Sequence, residues 1–194
     1  MEQPRIMYYG EKVCLRALEL SDLDDITEHW NTYETRRFLN SAIPNSRASE
    51  SEWLEKAAKS RPWADGELVL AIEDKGTGDF LGTVSLFDIS KQHRRAEFGI
   101  AIHNPENLGK GYGTDATTVM LWIAFHVLGL NGVYLYTLIH NERAQRAYEK
   151  AGFQRVGIFR QAMFSEGAYT DVLMMDVVRD DFLERYPPGS RTGS

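Results

Sequence analysis

The sequence predicts an α/β (α+β) protein of one domain, with a mixed central sheet of about six to seven strands and helices on both faces. Runs with the two-residue alternation of strands and runs with helical spacing follow one another along the chain. Strand runs that succeed each other directly predict antiparallel pairs, whereas the strand–helix–strand unit in residues 94–140 predicts a right-handed parallel crossover. The 194 residues, 43% of them hydrophobic, suit one domain over residues 1–186, followed by a tail at 187–194 that we expect to be disordered.

The first half of the chain predicts one strand, then two helices, then three strands. Residues 12–18 (KVCLRAL) alternate polar and apolar side chains, which indicates a strand. The first helix begins after Ser21, a residue type that favours the N-cap, and the second helix covers residues 49–60. The three strands are predicted over residues 67–74, 79–90 and 95–103.

The second half begins with a glycine-rich segment, residues 107–116 (NLGKGYGTDA), that leads into a helix predicted over residues 112–128. Asn141 is a favourable N-cap for the next helix, because its side chain accepts hydrogen bonds from free helical N–H groups. The remaining predicted elements are a strand over 133–140, a helix over 142–152, and a hairpin of strands over 153–164 and 169–178.

Composition argues against several function classes. The net charge of -6 and the pI of about 5.4 disfavour nucleic acid as a partner, because nucleic acid requires a basic face. No apolar run approaches the ~20 residues that span a bilayer, and no signal-peptide pattern opens the chain, so no membrane partner is expected. Cys14 is the only cysteine, which excludes an intramolecular disulfide and suits a cytoplasmic protein. The histidines lack paired metal-ligand spacing, so no metal is expected.

The glycine-rich segment predicts a site for an anion. A strand that enters a tight turn and then a helix presents free N–H groups at the positive end of the helix dipole. Gly109, Gly111 and Gly113 permit unusual backbone angles and leave room for a phosphate group. Lys110 adds a positive charge. Phosphate or pyrophosphate is therefore the ligand class that this turn suits.

This turn is not a P-loop and matches a dinucleotide fingerprint only in part. A P-loop needs glycine at position 104 and Ser or Thr after Lys110, where this chain has Asn104 and Gly111. Residues 111–116 (GYGTDA) match G-x-G-x-x-A, but three strands precede them and the next strand ends in His140 instead of an acidic residue. A dinucleotide-dependent oxidoreductase is therefore one alternative at this point.

A second motif follows the next predicted strand. Residues 141–153 (NERAQRAYEKAGF) contain the complete pattern N-x-x-A-x-x-x-Y-x-K-x-G-F, and residues 108–113 (LGKGYG) precede them in the chain. Together the two motifs resemble the GNAT superfamily of acyl-CoA-dependent N-acetyltransferases, whose loop R/Q-x-x-G-x-G/A differs here only at Leu108. The segments LRALELSDLDDITEHWN and HRRAEFGIAI are similar to the branch that holds the RimJ/RimL ribosomal-protein and the spermidine acetyltransferases. The resemblance covers residues 12–178 and implies a single GNAT-like domain.

The resemblance also implies a reaction, in which a primary amine attacks the thioester of acetyl-CoA directly. In the family, the glycine loop holds the diphosphate, and backbone groups of the strand at residues 100–102 pair with pantetheine and polarise the thioester oxygen. Asn141 caps its helix, binds the pantetheine amides, or does both. The residues implied to contact acetyl-CoA are Ile100, Ala101, Ile102, Leu108, Gly109, Lys110, Gly111, Tyr112, Gly113, Thr114, Asn141, Ala144 and Tyr148.

Glu97 is the candidate base. The attacking amine must be neutral, although the pKa of an alkyl amine is about 10.4 and that of an α-amine about 7.7–8.0. Glu97 lies on the face of its strand opposite Phe98, and a carboxylate beside an apolar core is costly unless it is used or paired. The alternatives are an ion pair with Arg94 or Arg95, or simple exposure to solvent.

Tyr148 is the candidate general acid. Its hydroxyl could protonate or hydrogen-bond the departing thiolate, whose pKa should be near that of cysteine, about 8.5. The alternative is a purely structural aromatic, since Ala144, Ala147, Tyr148 and Ala151 form an apolar helical stripe. Cys14 has no evident base partner, so a covalent acyl-enzyme is not expected.

The resemblance places the amine acceptor at the helical segment of residues 21–63, assisted by the last hairpin. The segment is rich in Asp and Glu, which suits a cationic acceptor such as a polyamine, although solvated helix faces explain the acids equally well. Trp30, Tyr33 and Trp63 either line an acceptor pocket or pack in the core. A peptide N-terminus, a polyamine and an amino sugar all stay open as acceptors. A non-catalytic acyl-CoA-binding regulator is a further alternative, and exposed strand edges would permit a homodimer.

Overall fold

The computed structural model describes residues 7–36 and 43–190, and in these ranges it contains one eight-stranded sheet flanked by helices. The strands are β1 (Met7–Tyr9), β2 (Val13–Ala17), β3 (Leu68–Asp74), β4 (Phe80–Phe87), β5 (Arg95–Ile102), β6 (Gly132–Leu138), β7 (Gln154–Ser165) and β8 (Ala168–Val178). The helices are α1 (Leu23–Trp30), α2 (Tyr33–Arg36), α3 (Arg47–Ala58), α4 (Pro62–Asp65), α5 (Tyr112–Trp122), α6 (Glu142–Ala151) and α7 (Arg179–Arg185).

The strand order is β1-β2-β3-β4-β5-β6-β8-β7. All neighbouring pairs are antiparallel except β5 and β6, which run parallel, as predicted for the strand–helix–strand unit. The described residues form eight strands, more than the six to seven predicted. The additional strand is β1, whose three residues are too few to show an alternating pattern in the sequence.

Helices cover both faces of the sheet, as predicted. On one face α5 and α6 pack on a large apolar core, and on the other face α1 and α3 pack on a smaller one. Successive residues of β3 alternate between the two cores: Ile72 belongs to the large core, whereas Val69 and Ala71 belong to the small one. Because successive side chains of a strand point to opposite faces of the sheet, β3 contributes residues to both cores.

Several helices differ from the predictions. A 3-10 turn, Leu20–Asp22, precedes α1, whose N-cap is Asp22 and not Ser21. The Asp22 carboxylate accepts from Glu19 N–H at 2.9 Å, within the 3-10 turn, and forms no capping bond with an N–H group of α1. The helix predicted over residues 112–128 is α-helical only to Trp122 and then forms a π-turn, Ile123–Val127. α3 covers Arg47–Ala58 instead of residues 49–60, and the short helices α2, α4 and α7 were not predicted.

The end of the chain contacts the helical layer as far as it is described. Ser190 N–H donates to Pro187 C=O at 2.9 Å, and the Trp122 indole donates to Ser190 C=O at 3.1 Å. Residues 191–194 lie outside the described part of the chain, and disorder over residues 187–194 stays a prediction. Within the described ranges, no helix has the length and apolar character needed to cross a membrane.

Candidate active site

β5 and β6 run side by side for only three residue pairs and then separate, leaving a gap in the middle of the sheet. β5 continues to Ile102 along β4, while β6 continues to Leu138 along β8. The N–H of His103 bonds to Leu81 C=O on the β4 side, and backbone direction alternates along a strand. Ile100 and Ile102 therefore direct their N–H and C=O groups into the gap.

The sequence prediction for this strand needs one refinement. Ala101 was predicted to contact the cofactor together with its two neighbours. It is paired with Thr83, and its carbonyl oxygen lies against Gly82 of β4, so its backbone groups point away from the gap. The structure thus brings the backbone of Ile100 and Ile102 to the gap, but not that of Ala101.

The glycine loop opens toward solvent at the N-terminus of α5. Gly109 and Gly111 have φ values of +77° and +92°, a left-handed conformation that favours glycine. A Cβ atom added at Gly109 or Gly113 would meet no other atom within 4 Å. The loop therefore has an open surface on which a ligand could approach the backbone closely.

The N–H groups of residues 109–114 have no acceptor in the described part of the chain. The last donor before them is Leu108, which bonds to Pro105 C=O at 3.1 Å, and the first after them is Asp115, which bonds to Gly111 C=O at 3.1 Å. These free donors stand at the positive end of the α5 dipole. The predicted anion site therefore has the geometry of a cradle for more than one phosphate group.

Asp115 fixes this cradle to the turn between β1 and β2. Its carboxylate accepts hydrogen bonds from the N–H groups of Glu11 (3.1 Å), Lys12 (2.7 Å) and Val13 (3.0 Å). A Cβ atom on Gly10 would overlap the same carboxylate, so the turn approaches it closely. Sequence reasoning missed this role, since only the acidic residue in the first turn of the helix could have indicated it.

Asn141 caps α6, as predicted, because its side-chain oxygen accepts from Ala144 N–H at 3.4 Å. Gln145, which sequence reasoning also missed, is buried and donates to the carbonyl groups of Leu138 (3.2 Å) and Ile139 (2.8 Å). These bonds hold the start of α6 at the end of β6. The Asn141 motif therefore lies at the end of β6, which borders the gap.

Glu97 belongs to the last residue pair before the gap, opposite Tyr134 of β6. Its side chain is half-buried and, among the described residues, forms no hydrogen bond or ion pair. Burial raises the pKa of Glu97, and the nearby negative charge of Asp88 raises it further. A carboxylate with a raised pKa and free oxygens is suited to accept a proton.

The alternative ion pairs of Glu97 are not formed in the described residues. The guanidinium of Arg95 bonds to the carboxylate of Asp176 at 2.9 Å. The guanidinium of Arg94 lies over the ring of Trp63, 4.7 Å from its centroid. Both cations predicted as possible partners thus have other partners.

The surroundings of Tyr148 are compatible with both roles that the sequence left open. Its ring makes edge contacts with Phe98 and Phe153, at centroid distances of 6.1 Å and 5.9 Å, so it belongs to the core. Its hydroxyl has no hydrogen-bond partner among the described residues. Burial raises the pKa of Tyr148 to about 12, so the hydroxyl keeps its proton near neutral pH.

A family model described as the acetyltransferase (GNAT) domain matches residues 12–154. The chain belongs to the GNAT acetyltransferase family. Its relatives include the spermidine N(1)-acetyltransferase of Vibrio cholerae, which is 30% identical over 186 residues, or 91% of this chain and 98% of the relative. A crystal structure of the Vibrio cholerae enzyme in complex with CoA and spermine matches with a TM-score of 0.80 at 30% identity, covering 89% of this chain and 98% of the other. The Bacillus subtilis protein YdaF, provisionally named a ribosomal N-acetyltransferase, is 29% identical over 105 residues, or 54% of this chain and 57% of its own length.

This GNAT protein is an N-acetyltransferase that uses acetyl-CoA, as the two sequence motifs indicated. The relatives, a spermidine acetyltransferase and a protein provisionally named a ribosomal acetyltransferase, are consistent with the predicted branch. Neither the dinucleotide-dependent oxidoreductase nor the non-catalytic regulator therefore describes the chain.

The helical segment to which the resemblance assigns acceptor binding contacts the tip of the β7–β8 hairpin. The hydroxyl of Tyr33 in α2 donates to the carboxylate of Glu166 at the hairpin tip, at 2.8 Å. Trp30 packs on the ring of His103, with centroids 4.5 Å apart. Of the three aromatic candidates for an acceptor pocket, Tyr33 thus spans the two elements, whereas Trp30 packs inward and Trp63 stacks with an arginine.

Other features of the described residues do not carry the chemistry. No group of three or more His, Cys, Asp or Glu side chains in the described ranges could hold a metal ion. A cavity of about 310 Å³ lies between α6 and β7, and its lining includes neither Glu97 nor Tyr148. Its lining consists of Ile139, Glu142, Gln145, Arg146 and Arg155.

Proposed function

We propose that this enzyme acetylates a primary amine of a spermidine-type polyamine, with Glu97 as the base and Tyr148 as the acid. The observation that carries the assignment is the unpaired, half-buried carboxylate of Glu97 at the point where β5 and β6 separate. Similarity to the Vibrio cholerae spermidine N(1)-acetyltransferase over 91% of the chain supports a polyamine over a peptide as acceptor.

The residues around the gap fit acetyl-CoA, which supplies the acetyl thioester when bound. The free N–H groups of residues 109–114 suit the diphosphate, because they combine six adjacent amide donors with the helix dipole. The gap-facing backbone of Ile100 and Ile102 suits the amides of pantetheine, which would complete the missing strand pairing. The Asn141 side chain uses its oxygen for the cap and keeps its NH₂ group available for the same arm.

Glu97 and Tyr148 divide the proton transfers of the reaction. Glu97 takes a proton from the acceptor nitrogen, directly or through one water molecule, so that the nitrogen has a lone pair for attack. A bond forms between this nitrogen and the acetyl carbon, and the carbon–sulfur bond breaks. Tyr148 donates its hydroxyl proton to the sulfur, which leaves as a thiol, and the phenol is restored by the second proton that the nitrogen loses.

The charges at the acceptor side favour a cation, although fewer acids contribute than the sequence indicated. Asp22 is neutralised by Arg16 at 2.9 Å, and Asp24 by Arg47. At the gap, where the acceptor nitrogen must reach the thioester, the carboxylate of Glu97 and the nearby carboxylate of Asp88 have no cationic partner among the described residues. Two nearby negative charges with aromatic neighbours suit an alkylammonium chain.

Release of free thiol from acetyl-CoA tests the proposal with spermidine, spermine, short peptides with a free N-terminus, and an aminoglycoside. We expect the highest kcat/KM with the two polyamines, because their cationic chains match the carboxylates. Preference for a peptide would replace the proposed acceptor, and absence of thiol release with every amine would overturn the reaction.

Glu97→Gln and Glu184→Gln form a matched pair for the catalytic assignment. The first should lower kcat by about 10²-fold, the usual contribution of a positioned base. The second changes an exposed carboxylate of α7 and should leave kcat unchanged. Equal kcat values for the wild type and Glu97→Gln would contradict the role of Glu97.

Two further proposals concern the cellular location and the oligomeric state of the enzyme. We place it in the cytoplasm, since its single cysteine, Cys14, is free and buried and its donor is acetyl-CoA.

We also propose a homodimer, because the side chains of Val156, Ile158 and Phe159 on the edge strand β7 are about half exposed to solvent. Sedimentation equilibrium at micromolar concentration tests the dimer, and a monomer there would contradict it.

A further inference from the structure

The turn between β1 and β2 lies against the glycine loop and brings a second lysine to it. The backbone of residues 11–13 is held by the three hydrogen bonds to Asp115. From this anchored backbone, the side chain of Lys12 reaches the loop, and its ammonium donates to Lys110 C=O at 2.7 Å. The turn is thus part of the loop's structure, although 98 residues separate Lys12 from Lys110 in sequence.

The ammonium of Lys12 lies beside the free N–H groups of the loop. A Cβ atom added at Gly111 would be 3.2 Å from Lys12 Nζ. Gly111 is the N-cap of α5 and stands in the middle of residues 109–114, whose N–H groups lack acceptors. The positive charge of Lys12 therefore adds to the field of the helix dipole at the place where an anion would bind.

The neighbouring lysines are directed elsewhere. Lys110, the cation expected from the sequence, donates its ammonium to Asn107 Oδ1 at 3.1 Å. Lys75 donates to Gly10 C=O at 3.0 Å, and its ammonium lies over the ring of Tyr9, 5.9 Å from the centroid. Lys12 is therefore the lysine whose ammonium contacts the N-cap residue of α5.

We propose that Lys12 binds the diphosphate of CoA and is a specificity-determining residue for CoA over pantetheine. The inference rests on the proposed placement of the diphosphate on residues 109–114. One N–H of the ammonium is used by Lys110 C=O, which leaves two donors for phosphate oxygens. Lys12 is exposed and forms no ion pair with a carboxylate of the described residues, so no competing anion occupies it. A charge-assisted bond from ammonium to phosphate is among the stronger hydrogen bonds.

Calorimetric titration of the full chain with CoA, with 3′-dephospho-CoA and with pantetheine tests the proposal. The variants are Lys12→Met, which removes the charge at similar length, Lys12→Arg, which keeps it, and Lys75→Met as the matched control. Lys75 lies in the turn between β3 and β4, and its ammonium donates to Gly10 C=O of the β1–β2 turn. We expect Lys12→Met to raise the Kd for CoA and for 3′-dephospho-CoA by about tenfold and to leave pantetheine binding unchanged. Added salt should weaken CoA binding less in Lys12→Met than in the wild type, because fewer charges are screened.

Three outcomes would overturn the assignment of Lys12. They are an unchanged Kd for CoA in Lys12→Met, an equal loss for CoA and pantetheine, and an equal loss for CoA in Lys75→Met. The second outcome would show that Lys12 only supports the loop. If the wild type binds CoA no better than pantetheine, the placement of the diphosphate itself fails, which separates failure of the proposed function from failure of this inference.

Discussion

The hydroxyl of Tyr33 donates a 2.8 Å hydrogen bond to the carboxylate of Glu166, although 133 residues separate them in sequence. The bond joins α2 to the turn between β7 and β8. Glu166 has a φ of +52°, an unusual conformation for a residue other than glycine, and Gly167 beside it has a φ of +83°. The two elements that the resemblance assigns to acceptor binding are therefore in direct contact.

Removing this hydroxyl should weaken acceptor binding selectively. We expect Tyr33→Phe to raise the KM for spermidine about fivefold, which corresponds to about 1 kcal/mol for one hydrogen bond. The KM for acetyl-CoA should not change, because the bond lies away from the glycine loop. Steady-state kinetics with each substrate varied in turn measure both values. Tyr169→Phe, on the same hairpin, is the control, and an equal rise in both KM values would contradict a local role.

Tyr148→Phe isolates the proposed acid, because it removes the hydroxyl and keeps the ring that contacts Phe98 and Phe153. We expect kcat to fall by about 10²-fold, since the leaving thiolate no longer receives a proton from a positioned donor. The melting temperature should stay close to that of the wild type. A kcat that is retained, together with an unchanged melting temperature, would assign Tyr148 to the core alone.

Asp88 should influence the pH dependence of the reaction through Glu97. Burial first, and the charge of Asp88 second, raise the pKa of Glu97, and the base is active only when it is deprotonated. The acid limb of the kcat/KM profile should therefore follow this raised pKa. Asp88→Asn removes one negative charge, lowers the pKa of Glu97, and should shift the acid limb to lower pH. A profile that does not move, or that moves to higher pH, would contradict Glu97 as the titrating group.

His103 should make the protein sensitive to acid. Its ring is 3% exposed, packs between Trp30 and Phe80, and has no hydrogen-bond partner for either nitrogen among the described residues. Burial, and then the charge of His29, lower the pKa of His103 from 6.5 to about 3.

The sign of the effect follows from proton binding. Below pH 6.5 the unfolded chain protonates this ring and the folded chain does not, so acid favours unfolding. The free energy of unfolding should fall by about 1.4 kcal/mol per pH unit from this group, from pH 6.5 down to its folded pKa of about 3. Urea unfolding of the wild type and of His103→Phe between pH 7 and pH 5 measures the difference in slope. Identical slopes would show that the ring is protonated in the folded protein.

The parts of the site that the sequence predicted are those set by local pattern. The φ values of Gly109 and Gly111 follow from the tight turn, and the Asn141 cap follows from the residue type before a helix. The position of Glu97 opposite Phe98 follows from strand alternation. In each case the physical cause lies within a few residues, so one sequence is sufficient to show it.

The parts that the sequence did not predict depend on contacts between distant segments. Asp115 bonds to backbone groups more than 100 positions earlier, and Lys12 reaches Lys110 across the β1–β2 turn. Such pairings appear only when the sheet order has brought the segments together.

The separation of β5 from β6 divides the sheet into two halves that share a seam of three residue pairs. β1 to β5 keep their ladders on one side, and β6, β8 and β7 keep theirs on the other. The slot between the halves is consequently made by the course of the main chain and not by the shape of any side chain. Substitutions at most positions from Phe98 to Ile102 would change the side chains that line the slot without closing it. Acceptor specificity can therefore change while the acetyl-CoA site is kept.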